Sequence, residues 1–229
     1  MKTKAKENQY DVQFESLQSK GPVELGPTPS HLWRTDPRHL CFLLARYKFC
    51  SKLLAGQPKA LEVGCGDAFG TRLMLQTVRH IHGVDFDPLF IEWAAKQYQS
   101  EGLPATFEVL DITARSPKNR HYPAAYAMDF IEHIPAKQED KALSNICRVL
   151  LPDAVCVLGT PNITARQYAS RDSEIGHINL KSADTLRSLM EKYFKQVFLF
   201  SMNDEVVHTG YFPMAHYLFG MGVGNKTKK

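Results

Sequence analysis

Apolar residues along the chain fall into two alternating patterns. Short continuous runs at Ala60–Val63, His80–Val84, Thr106–Leu110, Ala124–Phe130, Ala154–Leu158 and Val197–Phe200 predict strands. Between them, apolar positions recur every three or four residues, predicting helices over Phe69–Val78, Pro88–Gln99, Ala136–Leu150 and Ser182–Tyr193. Ahead of the first strand, Leu40, Leu43, Leu44, Tyr47, Cys50 and Leu54 share one helical stripe. Asp36 and Pro37 serve as its start signal and Gly56 as its stop. The aromatic stretch Tyr211, Phe212, His216, Tyr217 and Phe219 predicts a last strand, mostly core, with a residue or two free to line a pocket. Apolar strands alternating with amphipathic helices imply an α/β fold. The expected form is a doubly wound, mostly parallel, seven-stranded sheet covered on both faces, with an N-terminal helical extension. Residues 1–30 are polar and punctuated by Gly21-Pro22 and Gly26-Pro27-Thr28-Pro29. They predict a flexible arm or lid over 1–35, ahead of a single domain over 36–229.

Composition narrows this only slightly. The 229 residues are 44% hydrophobic and 23% charged, ordinary for a globular domain. The net charge of +4 is concentrated near the ends, in Lys2, Lys4, Lys6, Lys226, Lys228 and Lys229. It reads as solvated tails rather than a nucleic-acid surface. No basic stripe with interleaved aromatics appears, which argues against a nucleic-acid partner. No apolar run approaches the ~20 residues of a membrane span. The five cysteines (Cys41, Cys50, Cys65, Cys147 and Cys156) are widely spaced and odd in number. They suit neither a disulfide framework nor a zinc site, and predict small buried hydrophobes in a reducing compartment, the cytoplasm. Nothing in the pattern points to a particular oligomeric state.

The chemistry is written at the predicted strand ends. The first runs into Leu61-Glu62-Val63-Gly64-Cys65-Gly66-Asp67-Ala68-Phe69-Gly70. Gly64 and Gly66 permit a tight turn and a close backbone approach to a ligand, and Gly70 permits close helix–strand packing. Phe69 occupies the place of the third glycine in a dinucleotide fingerprint, which argues against hydride chemistry. The second strand ends in Asp85-Phe86-Asp87 and the third in Asp111-Ile112. An acid at the second end can accept from both ribose hydroxyls, and Asp111 from an adenine amino group. For either acid alone a helix cap explains it equally well. Glycines, acid and acid at three consecutive strand ends are far more specific.

The run Leu61–Gly70, then Asp85, Asp111 and Asp129-Phe130-Ile131-Glu132-His133-Ile134, resembles class I S-adenosylmethionine-dependent methyltransferases, most of all the branch containing ubiquinone-biosynthesis-type O-methyltransferases. The resemblance implies a Rossmann-like fold and S-adenosyl-L-methionine as cofactor. It implies that Glu62, Gly64 and Gly66 hold the methionine part, Asp85 the ribose and Asp111 the adenine end, with Cys65, Phe86, Ile112 and Asp129 also among the cofactor-binding residues. Ala68 stands where the family commonly has a third glycine, and as a small residue is expected to matter little. The segments Asp36–Leu54 and Met202–Leu218 are similar to a narrower bacterial group associated with polysaccharide biosynthesis and sugar modification.

Two arrangements for activating an acceptor hydroxyl follow. In one, His133 or His177 is a general base, with Glu132 beside it. In the other, Asp129, Glu132, His133 and His177 hold a divalent metal such as magnesium. The second is similar to the Glu-x-x-Glu-His pattern and later histidine of metal-using methyltransferases of ubiquinone synthesis and small-RNA 3′ ends, with Asp129 one methylene shorter than the first glutamate. Asn179, Asp204, Glu205, His208 and Tyr211 are candidate contacts to a small-molecule acceptor, although Asn203–Tyr211 also reads as an ordinary solvated turn. Trp33-Arg34 and Arg46 precede the cofactor strand and read as residues able to close over the site, although an exposed helix face is the simpler explanation for Arg46. The expected activity is O-methylation of a small hydroxylated acceptor such as a sugar or nucleotide-linked sugar. The alternatives are methylation of RNA or another macromolecule, and a non-catalytic adenosyl-nucleotide-binding domain.

Overall fold

The computed structural model describes residues 5–119 and 121–227; the tail lysines Lys2, Lys4, Lys228 and Lys229 lie outside them. Eight strands form one sheet: β1 (Ala60–Val63), β2 (Ile81–Asp85), β3 (Ala105–Val109), β4 (Tyr122–Met128), β5 (Leu150–Pro161), β6 (Phe194–Asn203), β7 (Val206–His208) and β8 (Tyr217–Asn225). Their order is β3-β2-β1-β4-β5-β8-β6-β7. The pairs among β1 to β5 are parallel, while β8 runs antiparallel to both β5 and β6. Strand order reverses between β1 and β4, so their carboxyl ends open the crevice where such sheets bind ligands. The expected seven strands become eight because β7, only three residues long, forms a hairpin with β6 in the stretch read as a polar turn. So short an edge strand leaves no readable period in the sequence.

The helices are α1 (Asp11–Lys20), α2 (Pro27–Thr35), α3 (Arg38–Leu53), α4 (Thr71–Met74), α5 (Pro88–Ser100), α6 (Ala136–Cys147), α7 (Arg171–Gly176) and α8 (Ala183–Glu191). Alternation along β4 divides the core. Ala125 and Ala127 face α6 and α8, while Ala124, Tyr126 and Met128 face α3 and α4. None of these helices is long and apolar enough to cross a membrane. The arm departs from expectation, because α1 and α2 are both regular helices within residues 1–35. Asp36 follows α2 and caps nothing with its side chain; α3 begins at Arg38. Helix α4 is a single turn of the predicted Phe69–Val78. The cysteines are all free, and all are buried except Cys41, which lies on the outer side of α3.

Helix α3 packs closely on the start of α4 at Gly70. A Cβ there would lie 2.3 Å from the ring of buried Tyr47, which packs edge-on against Tyr126. Gly70 has an ordinary helical φ of −72°, so the constraint is steric rather than conformational. Gly70→Ala is expected to cost about 1–3 kcal/mol through overpacking. At ~2–4 °C per kcal/mol for a chain of this size, the thermal midpoint falls by several degrees. An unshifted melt would show that Tyr47 moves aside freely. Ala68, expected to matter little, adopts φ +61° and is buried, so alanine carries left-handed strain that a glycine there would not.

Candidate functional site

The carboxyl ends of β1, β2, the strand after α5 and β4 surround a cavity of about 430 Å³, within the range of small-molecule sites. Gly64, Gly66, Asp85, Phe86, Asp111 and Ile112 all line it. Gly64 (φ +70°) and Gly66 (φ +53°) take conformations that glycine adopts readily, and a Cβ on Gly66 would meet only open space. Asp85 accepts from the amides of Gly66 at 2.9 Å and Asp87 at 3.0 Å. Its carboxylate retains further lone pairs for a ligand. Asp111 is fixed by the Thr113 amide and hydroxyl, at 2.8 and 2.6 Å. A smaller space of about 130 Å³ continues along the glycine loop past Cys65, Tyr47 and Met128.

The roof comes from the arm. Thr28 and Leu32 of α2 and His39, Leu43 and Arg46 of α3 line the same cavity. The start of α2 is docked by the Thr28 amide, which donates to Asp67 at 2.7 Å, and Gly26 crosses so near Asp67 that a Cβ would lie 2.5 Å from its carboxyl. Trp33 points away and is largely exposed.

At the β4 end Asp129 takes φ +53°, and the Arg46 guanidinium donates to both its carboxylate oxygens at 2.9 Å. That guanidinium also lies 4.0 Å above the Tyr217 ring. Arg46 is therefore buried and paired, not part of an exposed helix face; its partner is 83 positions away and invisible to local patterning. Just beyond, Glu132 is completely buried. Thr160 donates to one of its oxygens at 3.1 Å, and the other has no partner. Burial, reinforced by the negative charge of Asp129, pushes its carboxyl up to about 8. The rings of His133 and His177 stand edge to face, 5.1 Å between centroids. Ligand atoms of Glu132, His133 and His177 lie within 4.8 Å of one another. His133 Nδ1 is 3.1 Å from the Gly176 carbonyl, which can only accept, so Nδ1 carries the proton and Nε2 is left as the acceptor. Burial and the neighbouring His133 both lower the pKa of His177.

Residues 60–153 match the family described as "Methyltransferase domain". Among curated proteins, the chain is 28% identical over 116 residues to the ubiquinone biosynthesis O-methyltransferase of Haemophilus ducreyi. The match covers 48% of each chain, so this chain spans about half the length of that relative. The fold is similar to that of a TehB-like S-adenosylmethionine-dependent methyltransferase from Corynebacterium glutamicum, with a TM-score of 0.59 and 16% identity. That match covers 94% of this chain and 96% of the other. It is also similar to the N-methyltransferase NodS of Bradyrhizobium japonicum, solved with S-adenosyl-L-homocysteine (0.61, 16%, covering 95% and 99%). A third similar structure is the methyltransferase domain of bacterial-CtHen1-C (0.67, 17%, covering 80% and 99%). Residues 60–153 thus match a methyltransferase domain, and the fold is the one shared by these methyltransferase structures. The open glycine turn and the two anchored acids at strand ends fit the adenosyl group of S-adenosylmethionine.

Several expected site residues lie away from the cavity or from the cluster of Glu132, His133 and His177. Glu62 does not line the cavity. Alternation along β1 turns it toward α3 and α4, where Thr71 donates to it at 2.5 Å and Tyr126 at 2.8 Å. Burial lifts its carboxyl to about 7. Asp129 does line the cavity, but it stands outside the cluster of Glu132, His133 and His177, held by Arg46. Asn179 is buried, with its amide spent on Ile131 and Glu139. Asp204 and Glu205 form the tip of the β6–β7 hairpin, His208 is bonded to Ser201, and Tyr211 is exposed; none of them lines the cofactor cavity. Arg46, one of the residues read as able to close over the site, does line the cavity, whereas Thr28 and His39 are brought there by the packing of the arm and α3.

Proposed function

We propose that this protein transfers the methyl group of S-adenosylmethionine to a hydroxyl of a small acceptor of the sugar or nucleotide-linked sugar class. The supporting observation is His133, whose Nδ1–H donates to Gly176 and leaves Nε2 as a base on the cavity wall. A hydroxyl must lose its proton as the methyl group arrives, and a placed base supplies about 10²–10⁴-fold. The cofactor supplies an activated methyl group on sulfur. On this reading Asp85 holds the ribose hydroxyls, Asp111 the adenine amino group, and the loop at Gly64 and Gly66 the methionine part. The test is radiolabelled methyl transfer to a panel of nucleotide sugars. His133→Ala is expected to lower turnover by about 10²–10⁴-fold, far more than it changes S-adenosylhomocysteine affinity. Undiminished turnover in that variant would remove His133 as the base.

The convergence of Glu132, His133 and His177 supports a second reading, in which these three hold a divalent cation that lowers the acceptor's pKa. Asp129 is not counted among the ligands, since Arg46 already engages both its oxygens. Chelation separates the two readings. Loss of turnover restored by magnesium or manganese selects the metal, and turnover indifferent to chelator selects the base.

A further inference from the structure

One buried ion pair lies outside the cavity and is used by none of the chemistry above. Lys181 is almost wholly buried and is paired with Glu139 in the first turn of α6. Lys181 Nζ also donates to Asn179 Oδ1 at 3.0 Å, and Asn179 Nδ2 donates to Glu139 at 3.1 Å, closing a triangle of three side chains. Buried ion pairs are costly to assemble and often add nothing to stability over apolar packing. A pair kept in such a place is therefore best explained by what it holds in register.

What it holds is the segment bearing His177. The amides of Ile178 and Asn179 both donate to the Glu132 carbonyl, at 2.9 and 3.0 Å, and Asn179 Nδ2 reaches the Ile131 carbonyl at 3.3 Å. These bonds stitch residues 178–179 onto the 3-10 turn Ile131–His133, which presents Glu132 and His133. On the far side of the triangle, the Ile163 amide donates to the Lys181 carbonyl at 2.9 Å, joining the segment to the loop after β5. Ser182 then caps α8 through Thr185. Lys181 thus sits where α6, the start of α8 and the β5 loop meet, four residues beyond His177.

We propose that Lys181 and Glu139, acting through Asn179, are positioning residues that set His177 against His133 and Glu132. The assignment rests on the reading of those three as the reacting cluster, but the geometry it specifies is measurable without turnover. Lys181→Met removes the pair and leaves the partly buried Glu139 without its cation. Lys181→Met/Glu139→Gln removes both charges while retaining an acceptor for Asn179. In the full chain with isotope-labelled histidine, the through-space contact between the His133 and His177 rings is expected to disappear in the single variant and remain weakened in the double. The thermal midpoint is expected to fall in the single variant and largely recover in the double. S-adenosylhomocysteine affinity is expected to stay within about twofold in both, since no member of the triangle lines the cofactor cavity. With an acceptor in hand, the single variant lowers kcat about 10–100-fold with little change in KM.

A ring contact that survives in both variants overturns the proposal. So does a contact that recovers fully along with stability, or a tenfold loss of S-adenosylhomocysteine affinity accompanying its loss, because either would show that the pair serves only the fold. If instead His177→Ala leaves turnover intact while Lys181→Met abolishes the ring contact, the reading of the cluster fails and the positioning role stands.

Discussion

Asp85→Ala weakens S-adenosylhomocysteine binding about a hundredfold, read by calorimetry on the full chain. A hydrogen bond to a charged group is worth roughly 1.5–3 kcal/mol, and each ~1.4 kcal/mol is tenfold in affinity. Asp85 has two routes to this effect. It offers lone pairs to the cavity, and it accepts from the Gly66 amide at 2.9 Å, so alanine also frees the glycine turn. Asp85→Asn separates the two contributions: it retains an acceptor for Gly66 but loses the charge, and is expected to lose about tenfold. Equal affinity in wild type and both variants would remove Asp85 from cofactor binding and leave it as a loop brace.

The second large effect concerns Glu132 and pH. Its carboxyl is raised from 4.5 to about 8, first by burial and then by Asp129, so the folded protein holds a proton that the unfolded chain has released. Between about 4.5 and 8 the unfolded state therefore binds fewer protons, and stability falls as pH rises. At 1.36 kcal/mol per unit the penalty at the upper end is on the order of a few kcal/mol. Glu62, raised to about 7 by burial, contributes a slope of the same sign over a narrower window. Glu132→Gln is expected to flatten the upper part of the curve and to exceed wild type in denaturant stability at pH 8, while lowering turnover. A pH–stability curve that the substitution leaves unchanged would show that Glu132 is ionised throughout in the folded protein. Saturating manganese distinguishes the two readings of the site again, because a bound cation favours the carboxylate and would restore wild-type stability at pH 8.

The roof over the cavity bears on how these effects combine. Thr28 is both a cavity-lining residue and the donor to Asp67, so the arm is part of the cavity wall rather than an appendage to it. Arg46 likewise serves two neighbours, Asp129 and the Tyr217 ring. Asp85 lines the cavity while Glu132 is buried beyond the β4 end, and the two share no hydrogen-bond partner, so their effects on stability are expected to add.

The sequence by itself determined the sheet, the place of the crevice and the cofactor class. Parallel strands carry all their carboxyl ends to one edge, so residues written just after β1, β2 and the next strand must meet whatever the loops do. Gly64, Gly66, Asp85 and Asp111 do line one cavity for that reason. His133 and His177 were legible as chemistry-bearing residues, and they do come together. Tertiary structure alone decided which polar groups face the cavity and which are spent on one another. Glu62 turns under the loop because strand alternation gives it to the α3 face. Asp129 is withheld from the cluster by an arginine 83 positions away. Asn179 is tied up by Glu139 and Lys181, 40 and 2 positions distant. Such pairings follow from which side chains packing brings within a few ångströms in a medium of low polarity, and no local period in the sequence carries that information.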